Sequence, residues 1–310
     1  MSQKTSMQGK NGLKEVLDRL DTRQLDEDVH LIIGNNLGTF PYSNSLLILD
    51  EEVVLIDAGA GEEILHPLKD HVDILINSHY HIDHILGNHL FGKLWVVEEE
   101  AGVTSSFDSY KRFAGIHDTT IEYEWLSWFH EHFSFHVSSP TRTFSHTELF
   151  RFGTTQWQAV HTPGHSPGHC CFYEPERRLM FSSDLDLTAF GPWYGNPNAD
   201  LNDFIESIKM LSEFEIDVIA TSHMMPIRDN VQQALEEYLS IIFEREERIL
   251  GLLEKEMTLQ ALEAENIIYK KEQKRYKAFA WFEQKMIEKH LAQLMESGKV
   301  EQVGNRFKAL

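Results

Sequence analysis

Apolar residues in this chain fall into short runs separated by charge, and their spacing alternates between helical and strand-like. Over residues 13–25 they stand at Leu13, Val16, Leu17 and Leu20 with charges between, a spacing that predicts a helix. Residues 30–33, 45–49 and 53–56 are strand-like, and Asp50, Glu51 and Glu52 mark the turn between the last two. Residues 72–76 form another apolar run, bounded by charge and histidine. Strand pattern resumes at 154–162, 170–173 and 179–182, residues 201–214 are helical in period, and 218–220 make a last short strand. Short, continuously apolar runs of this kind suit a sheet covered on both faces.

Two stretches depart from this rhythm. Residues 102–109 are polar and residues 125–136 are dense in aromatics and histidines (Trp125, Trp128, Phe129, Phe133; His130, His132, His136). Residues 99–145 are therefore expected to be an insertion, helical in character. From Val231 the chain turns helix-rich and charged: 245–254, 258–269 and 278–297 read as three helices, and 298–300 with 306–308 as a short hairpin. The expected organisation is a catalytic domain over 1–230 carrying the insertion, and a C-terminal helical domain over 231–310.

Composition narrows the field. With 310 residues, 42% hydrophobic and 25% charged, the chain has room for one large domain and a small appendage. No apolar run reaches bilayer length, and residues 1–12 lack the apolar stretch of a secretory signal, so the expected location is the cytoplasm, with no membrane partner. The two cysteines, Cys170 and Cys171, are neighbours on an expected strand and point to opposite faces, which argues against a disulfide-stapled secreted fold. A formal net charge of −21 repels polyanions, which weighs against nucleic acid and leaves a small molecule as the expected partner.

The chemistry is concentrated in four short motifs, each at the end of an expected strand. The first is Ser78-His79-Tyr80-His81-Ile82-Asp83-His84: His79 and His81, two apart in extended chain, project to one side and reach one ion, while Asp83 and His84 follow a turn and face a second. The second, His161 to Gly168, presents His165 from a Pro163-Gly164 turn. The third, Phe181 to Asp184, ends in a carboxylate, and the fourth, Thr221 to His223, in an imidazole. Five histidines and two carboxylates suit two divalent ions, zinc first, with manganese or iron chemically reasonable.

These motifs, in this order, resemble the metallo-β-lactamase superfamily over roughly residues 28–228. The resemblance implies an α/β fold, a four-layer αββα sandwich with the metals at one edge of the paired sheets. It assigns His79, His81 and His165 to the first metal, Asp83, His84 and His223 to the second, and Asp184 between them. Asp57 matches the family's buried aspartate that supports the metal loop. Ala58, Ser183, His169 and Met224-Met225 depart from the family pattern; none removes a ligand, but they reshape the pocket wall.

Fold alone does not fix a substrate. True metallo-β-lactamases lack the bridging aspartate that Asp184 supplies, and flavodiiron proteins carry Glu at the position of His81. The expected enzyme is a hydrolase of a small ester, thioester or lactone, in which Asp83 and Asp184 orient the attacking water and move protons. The alternatives are a phosphodiesterase or endoribonuclease of the same superfamily, a sulfur-handling iron dioxygenase, and a ligand-binding or regulatory protein on a retained metal site. The aromatic insertion either caps an apolar acyl group or covers the sheet. Trp193, Tyr194 and Met224 are candidate substrate contacts. The tail is similar to the winged-helix tail of the β-lactamase-like endoribonuclease group and related hydrolases. Its mixed charge (Lys285, Lys289 and His290 beside Glu283, Glu288 and Glu296) points to packing or homodimer formation.

Overall fold

A computed structural model describes residues 12–310 except 126 and 128–133. Trp128, Phe129, His130, His132 and Phe133 of the expected aromatic cap lie outside the described residues. Among the described residues, fifteen strands form three sheets. The first joins, in order, β1 (Thr22–Asp26), β2 (Val29–Ile32), β3 (Ser45–Leu49), β4 (Val53–Ile56), β5 (Ile74–Ile76), β6 (Leu94–Val97) and β7 (Arg142–Phe144). It is antiparallel from β1 to β4 and parallel from β4 to β7. The second runs β8 (Leu149–Arg151), β9 (Gln156–His161), β10 (Cys170–Glu174), β11 (Leu179–Phe181) and β12 (Val218–Ala220), with only the last pair parallel.

Alternation along the strands assigns each face its covering. In β3, Leu46 and Ile48 point inward and meet Trp157, Ala159, Phe172 and Phe181 of the second sheet. Leu47 points the other way, onto Leu13, Leu65 and Leu68. The outer face of the second sheet (Val160, Cys171, Met180, Ile219) is covered by Phe204, Ile208 and Leu211 of a helix. Two sheets thus lie face to face with helical layers outside, as the resemblance implies, and each fully buried Leu, Ile or Phe contributes about 1.5–3 kcal/mol. Asp50 ties the two sheets at one corner by accepting hydrogen bonds from the backbone and hydroxyls of Thr154 and Thr155; burial pushes its carboxyl up, and these bonds hold it well below the usual range.

Among the described residues the α-helices are α1 (12–17), α2 (Glu62–Leu65), α3 (Ile82–Ile85), α4 (Phe107–Phe113), α5 (Leu201–Leu211), α6 (Val231–Leu252), α7 (Leu259–Ala264) and α8 (Lys277–Glu296), with a further helical stretch at 122–125. The third sheet, β13 (Met257–Thr258), β15 (Arg306–Ala309) and β14 (Val300–Val303), closes the tail around Ile249, Leu262, Ile287, Leu291 and Phe307. α6 belongs to two cores: Leu235, Tyr238 and Ile242 pack on the two-sheet sandwich, and Ile249 packs in the tail. Among the described residues no helix is long and apolar enough to cross a membrane.

Three expectations are corrected. The helix expected over 13–25 stops at residue 17, because residues 22–26 gain more by pairing with β2, with Thr22 opposite Ile32, than from helical spacing. The insertion is not wholly helical: its end, β7, pairs with β6 as an edge strand, too short and too charged to read as one. The helix expected over 258–269 ends at Ala264, because the buried Glu283 carboxylate accepts hydrogen bonds from the N–H groups of Ile267, Ile268 and Tyr269 and keeps them out of a helix.

Candidate metal centre

Four strand ends converge at one edge of the sandwich. β5 runs between β4 and β6, and beyond it the chain leaves the sheet at Asn77 and Ser78 before α3 begins. His79 and His81 lie in this crossing, while Asp83 and His84 sit in the short α3 itself. Beyond β9, Gly164 adopts φ 124° against α5, where a Cβ would lie 2.3 Å from the Phe204 backbone. Only glycine fits so close an approach, and the turn it permits delivers His165. The turn is held from behind by Glu100, which accepts from Ser166 Oγ at 2.8 Å and from the Gly168 N–H at 3.0 Å. Burial pushes the Glu100 carboxyl up to about 8. Asp184 and His223 follow β11 and β12.

The seven residues form two groups that share Asp184: His79, His81, His165 and Asp184, and Asp83, His84, Asp184 and His223, the donor atoms of each lying within 4.8 Å of one another. Asp184 divides its oxygens between them. Oδ2 is 3.1 Å from His165 Nε2, whereas Oδ1 is 3.0 Å from His84 Nε2 and 3.3 Å from His223 Nε2. Asp83 Oδ2 is 3.4 Å from His223 Nε2.

The outer partners decide which ring nitrogen faces inward. His165 Nδ1 donates to the Trp193 carbonyl at 2.8 Å, and His223 Nδ1 to the Gly38 carbonyl at 2.6 Å. Asn36, Leu37 and Gly38 all have positive φ, a left-handed turn that aims this carbonyl at the ring. His84 Nδ1 meets Asp57 Oδ2 at 2.9 Å. Ser78 Oγ donates to that same oxygen at 2.7 Å and so accepts from His79 Nδ1 at 3.0 Å. In the neutral ring each of these Nε2 atoms is then left with a bare lone pair; His81 turns Nδ1 inward, 2.7 Å from His165 Nε2, and its Nε2 lies 2.8 Å from Asn196 Nδ2.

This arrangement calls for cations. His165 Nε2 lies 3.2 Å from His79 Nε2, lone pair facing lone pair, which repels unless positive charge lies between. His84 Nε2 and Asp184 Oδ1 are fully buried and lack a well-aligned hydrogen-bond partner. Burial, with the neighbouring imidazoles, holds His79 and His81 well below the usual histidine range. At His84 burial acts the same way, but Asp184, Asp57 and Asp83 outweigh it and lift the ring well above that range. Burial pushes the Asp184 carboxyl up, but His84, His223 and His165 outweigh it and hold the group well below its usual range. The donor set, nitrogen and carboxylate oxygen without sulfur, fits divalent zinc, manganese or iron.

The other candidates separate. Trp193 lies beside the first group, its ring 5.5 Å from His81 and 5.6 Å from His165. Tyr194 is a correction: it is fully buried, and its hydroxyl meets His290 Nε2 at 2.7 Å and Arg245 at 3.1 Å, because the tail covers this side of the loop. Met224 is half-buried against the apolar core, and its carbonyl accepts from Asn44. Sequence reasoning missed Asn196, whose signal was the Asn196-Pro197-Asn198 turn, and the positioning role of His169. Burial lowers the His169 ring to about 3, and its Nε2 accepts the Asp184 N–H at 3.3 Å.

The profile of the Metallo-beta-lactamase superfamily matches residues 38–223. An uncharacterized protein of Aquifex aeolicus is 28% identical over 182 residues, 57% of this chain and 81% of that protein. The acyl-coenzyme A thioesterase MBLAC2 of Gallus gallus is 25% identical over 178 residues, 52% of this chain but only 62% of that protein. A metallo-beta-lactamase family protein from Thermus thermophilus shares the fold, with TM-score 0.71 at 22% identity over 93% of this chain and all of that one.

Proposed function

The chain belongs to the metallo-β-lactamase superfamily, and on that basis we propose that it is a dinuclear metal-dependent hydrolase of a small acyl thioester. The observation that carries the reading is the division of Asp184, one oxygen toward each nitrogen-rich group, which suits a bridging carboxylate between two zinc ions, or manganese or iron. When bound, such ions lower the pKa of water toward neutrality and polarise the acyl oxygen. His79, His81 and His165 would hold one and Asp83, His84 and His223 the other. The thioester, among esters and lactones, is favoured by the thioesterase activity of relatives that match about half of this chain.

The chain's own part is to orient and to move protons. Asp184 and Asp83, held between inward-facing imidazoles, orient the attacking water and take its proton, and the proton passes to the departing sulfur. Acyl thioester and water become carboxylic acid and thiol. Trp193, beside His81 and His165, forms a wall on which an apolar acyl group can lie and from which bulk water is excluded.

We assign the tail, with its order helix–strand–helix–helix–strand–strand, to the winged-helix class, acting in packing and self-association. Lys289 and His290 of its last helix are turned inward, Lys289 donating to the Asn196 carbonyl and the neutral His290 meeting Tyr194, which favours packing over phosphate binding. The experiment is metal analysis of purified protein, followed by a panel of acyl thioesters, lactones and a bis-aryl phosphodiester. Turnover of thioesters above the others is expected. Phosphodiester turnover without thioester turnover would replace the reading with the phosphodiesterase one.

A further inference from the structure

The loop from Phe190 to Asn196 touches the first ligand group twice. Its Trp193 carbonyl takes the His165 Nδ1 proton, and its Asn196 side chain meets His81 Nε2. The loop itself has neither helix nor strand. It is gripped from the far side by the C-terminal segment. Arg245 of α6, whose guanidinium is buried, donates to the carbonyls of Phe190 and Pro192 and to Tyr194 Oη, and lies over the Phe190 ring. Trp193 Nε1 donates to Tyr269 Oη at 2.6 Å, and Phe282 of α8 packs edge-on against the same indole at 5.2 Å. Lys289 donates to the Asn196 carbonyl at 2.9 Å. Tyr269 is itself fixed through Glu283, which accepts its N–H at 2.7 Å.

We propose that Arg245 and Tyr269 are positioning residues of the first ligand group, so that the C-terminal segment is a working part of the metal centre. A buried guanidinium bound to neutral oxygens is costly to desolvate, and a fold keeps one where its rigid fork fixes several backbone groups together. The second group is supported from elsewhere: Asp57 holds His84 and the Gly38 carbonyl holds His223, both from the N-terminal part of the chain. Arg245 and Tyr269 therefore act, through the loop, on His81 and His165 and on neither histidine of the second group; Tyr238 of α6 reaches only the backbone carbonyl of the shared Asp184. An outer partner that orients a ligand changes metal affinity by about 10–100-fold without touching the ion.

The inference rests on the metal-centre reading, and the experiment separates the two. Stepwise affinities for Zn²⁺ are measured by calorimetric titration of the metal-free full chain, alongside thermal unfolding of the same metal-free samples. The variants are Tyr269→Phe, Arg245→Met, Arg245→Lys, and Glu301→Ala as a tail control, an exposed residue of β14. One binding constant is expected to fall about 10-fold or more in Tyr269→Phe and Arg245→Met, the other staying within about 2-fold. Arg245→Lys is expected to recover part of the loss, and Glu301→Ala to leave both constants unchanged. Tyr269→Phe removes one oxygen and keeps the ring, so it serves if Arg245→Met fails to fold. Unchanged constants in Tyr269→Phe, or equal losses at both steps, overturn the proposal. A wild-type protein that takes up no metal overturns the underlying reading instead.

Discussion

Asp57 Oδ2 lies 2.9 Å from His84 Nδ1 and also accepts the Ser78 hydroxyl, while Asp57 Oδ1 takes the Ser78 N–H. One fully buried carboxylate thus fixes both ends of the histidine loop, from a residue at φ 65° that touches neither open face of the centre. Asp57→Ala is expected to weaken metal binding by about 10–100-fold and to lower activity with it. Equal metal affinity in mutant and wild type, by titration against a chelator, would refute this role.

Asp184 serves both groups, so it is the one ligand whose loss is felt twice. Wild-type protein is expected to bind two metals per chain, and Asp184→Ala fewer, with turnover lower by orders of magnitude. Elemental analysis of protein prepared with Zn²⁺ or Mn²⁺ measures this. A firm stoichiometry of one in both proteins counts against a dinuclear centre.

Glu100 gives a pH signature. Its folded pKa, about 8, stands above its ordinary 4.5, so the contribution to stability is full below 4.5 and is lost as pH rises toward 8. The slope approaches about 1.4 kcal/mol per pH unit in that window. Glu100→Gln keeps the acceptor for Ser166 and Gly168 and removes the ionisation. Its urea midpoint is expected to vary less between pH 5 and 8 than that of the wild type, by roughly the slope above. Parallel profiles would show that Glu100 does not carry the effect.

Gly164→Ala places a methyl group against the Phe204 backbone at φ 124°. A loss of about 1–3 kcal/mol from the backbone conformation alone is expected, with further loss from the clash. Because His165 is the next residue, metal affinity falls as well. Thermal unfolding with and without Zn²⁺ reads both, and a smaller Zn²⁺-induced shift in the mutant is the expected result.

With Lys289 and His290 turned inward, the intact protein is expected to show no salt-sensitive retention of RNA or duplex DNA at low ionic strength. Filter binding across a salt series checks it. Deleting residues 244–310 removes Arg245 together with Tyr269 and Phe282, which cover Tyr194 and Trp193, so altered solubility or association is expected alongside weaker metal binding. Micromolar RNA binding that falls steeply with salt and vanishes on this deletion supports the nuclease alternative.

Much of this molecule was legible without coordinates. Strand ends carrying His79, His81, Asp83, His84, His165, Asp184 and His223 could be read because metal ligands are few in kind and sit at fixed offsets from short apolar runs. Asp57 was legible for the same reason, through a resemblance carried by motif. The edge strands β7 and β8 were not, because three residues with an arginine at one end are too short to show a periodicity, and the partner of β7 comes from distant sequence.

What the sequence by itself determined is the chemistry of the centre and the class of fold that presents it. Only tertiary structure decided which neutral groups hold that chemistry in place. Trp193 acts through its carbonyl on one side and its indole on the other, and Tyr194 faces the tail although it adjoins a residue that lies beside His81 and His165. Carbonyls such as those of Trp193 and Gly38 belong to every residue type, so nothing in the sequence marks them. Their roles exist only once the chain has closed and the tail has packed against the loop.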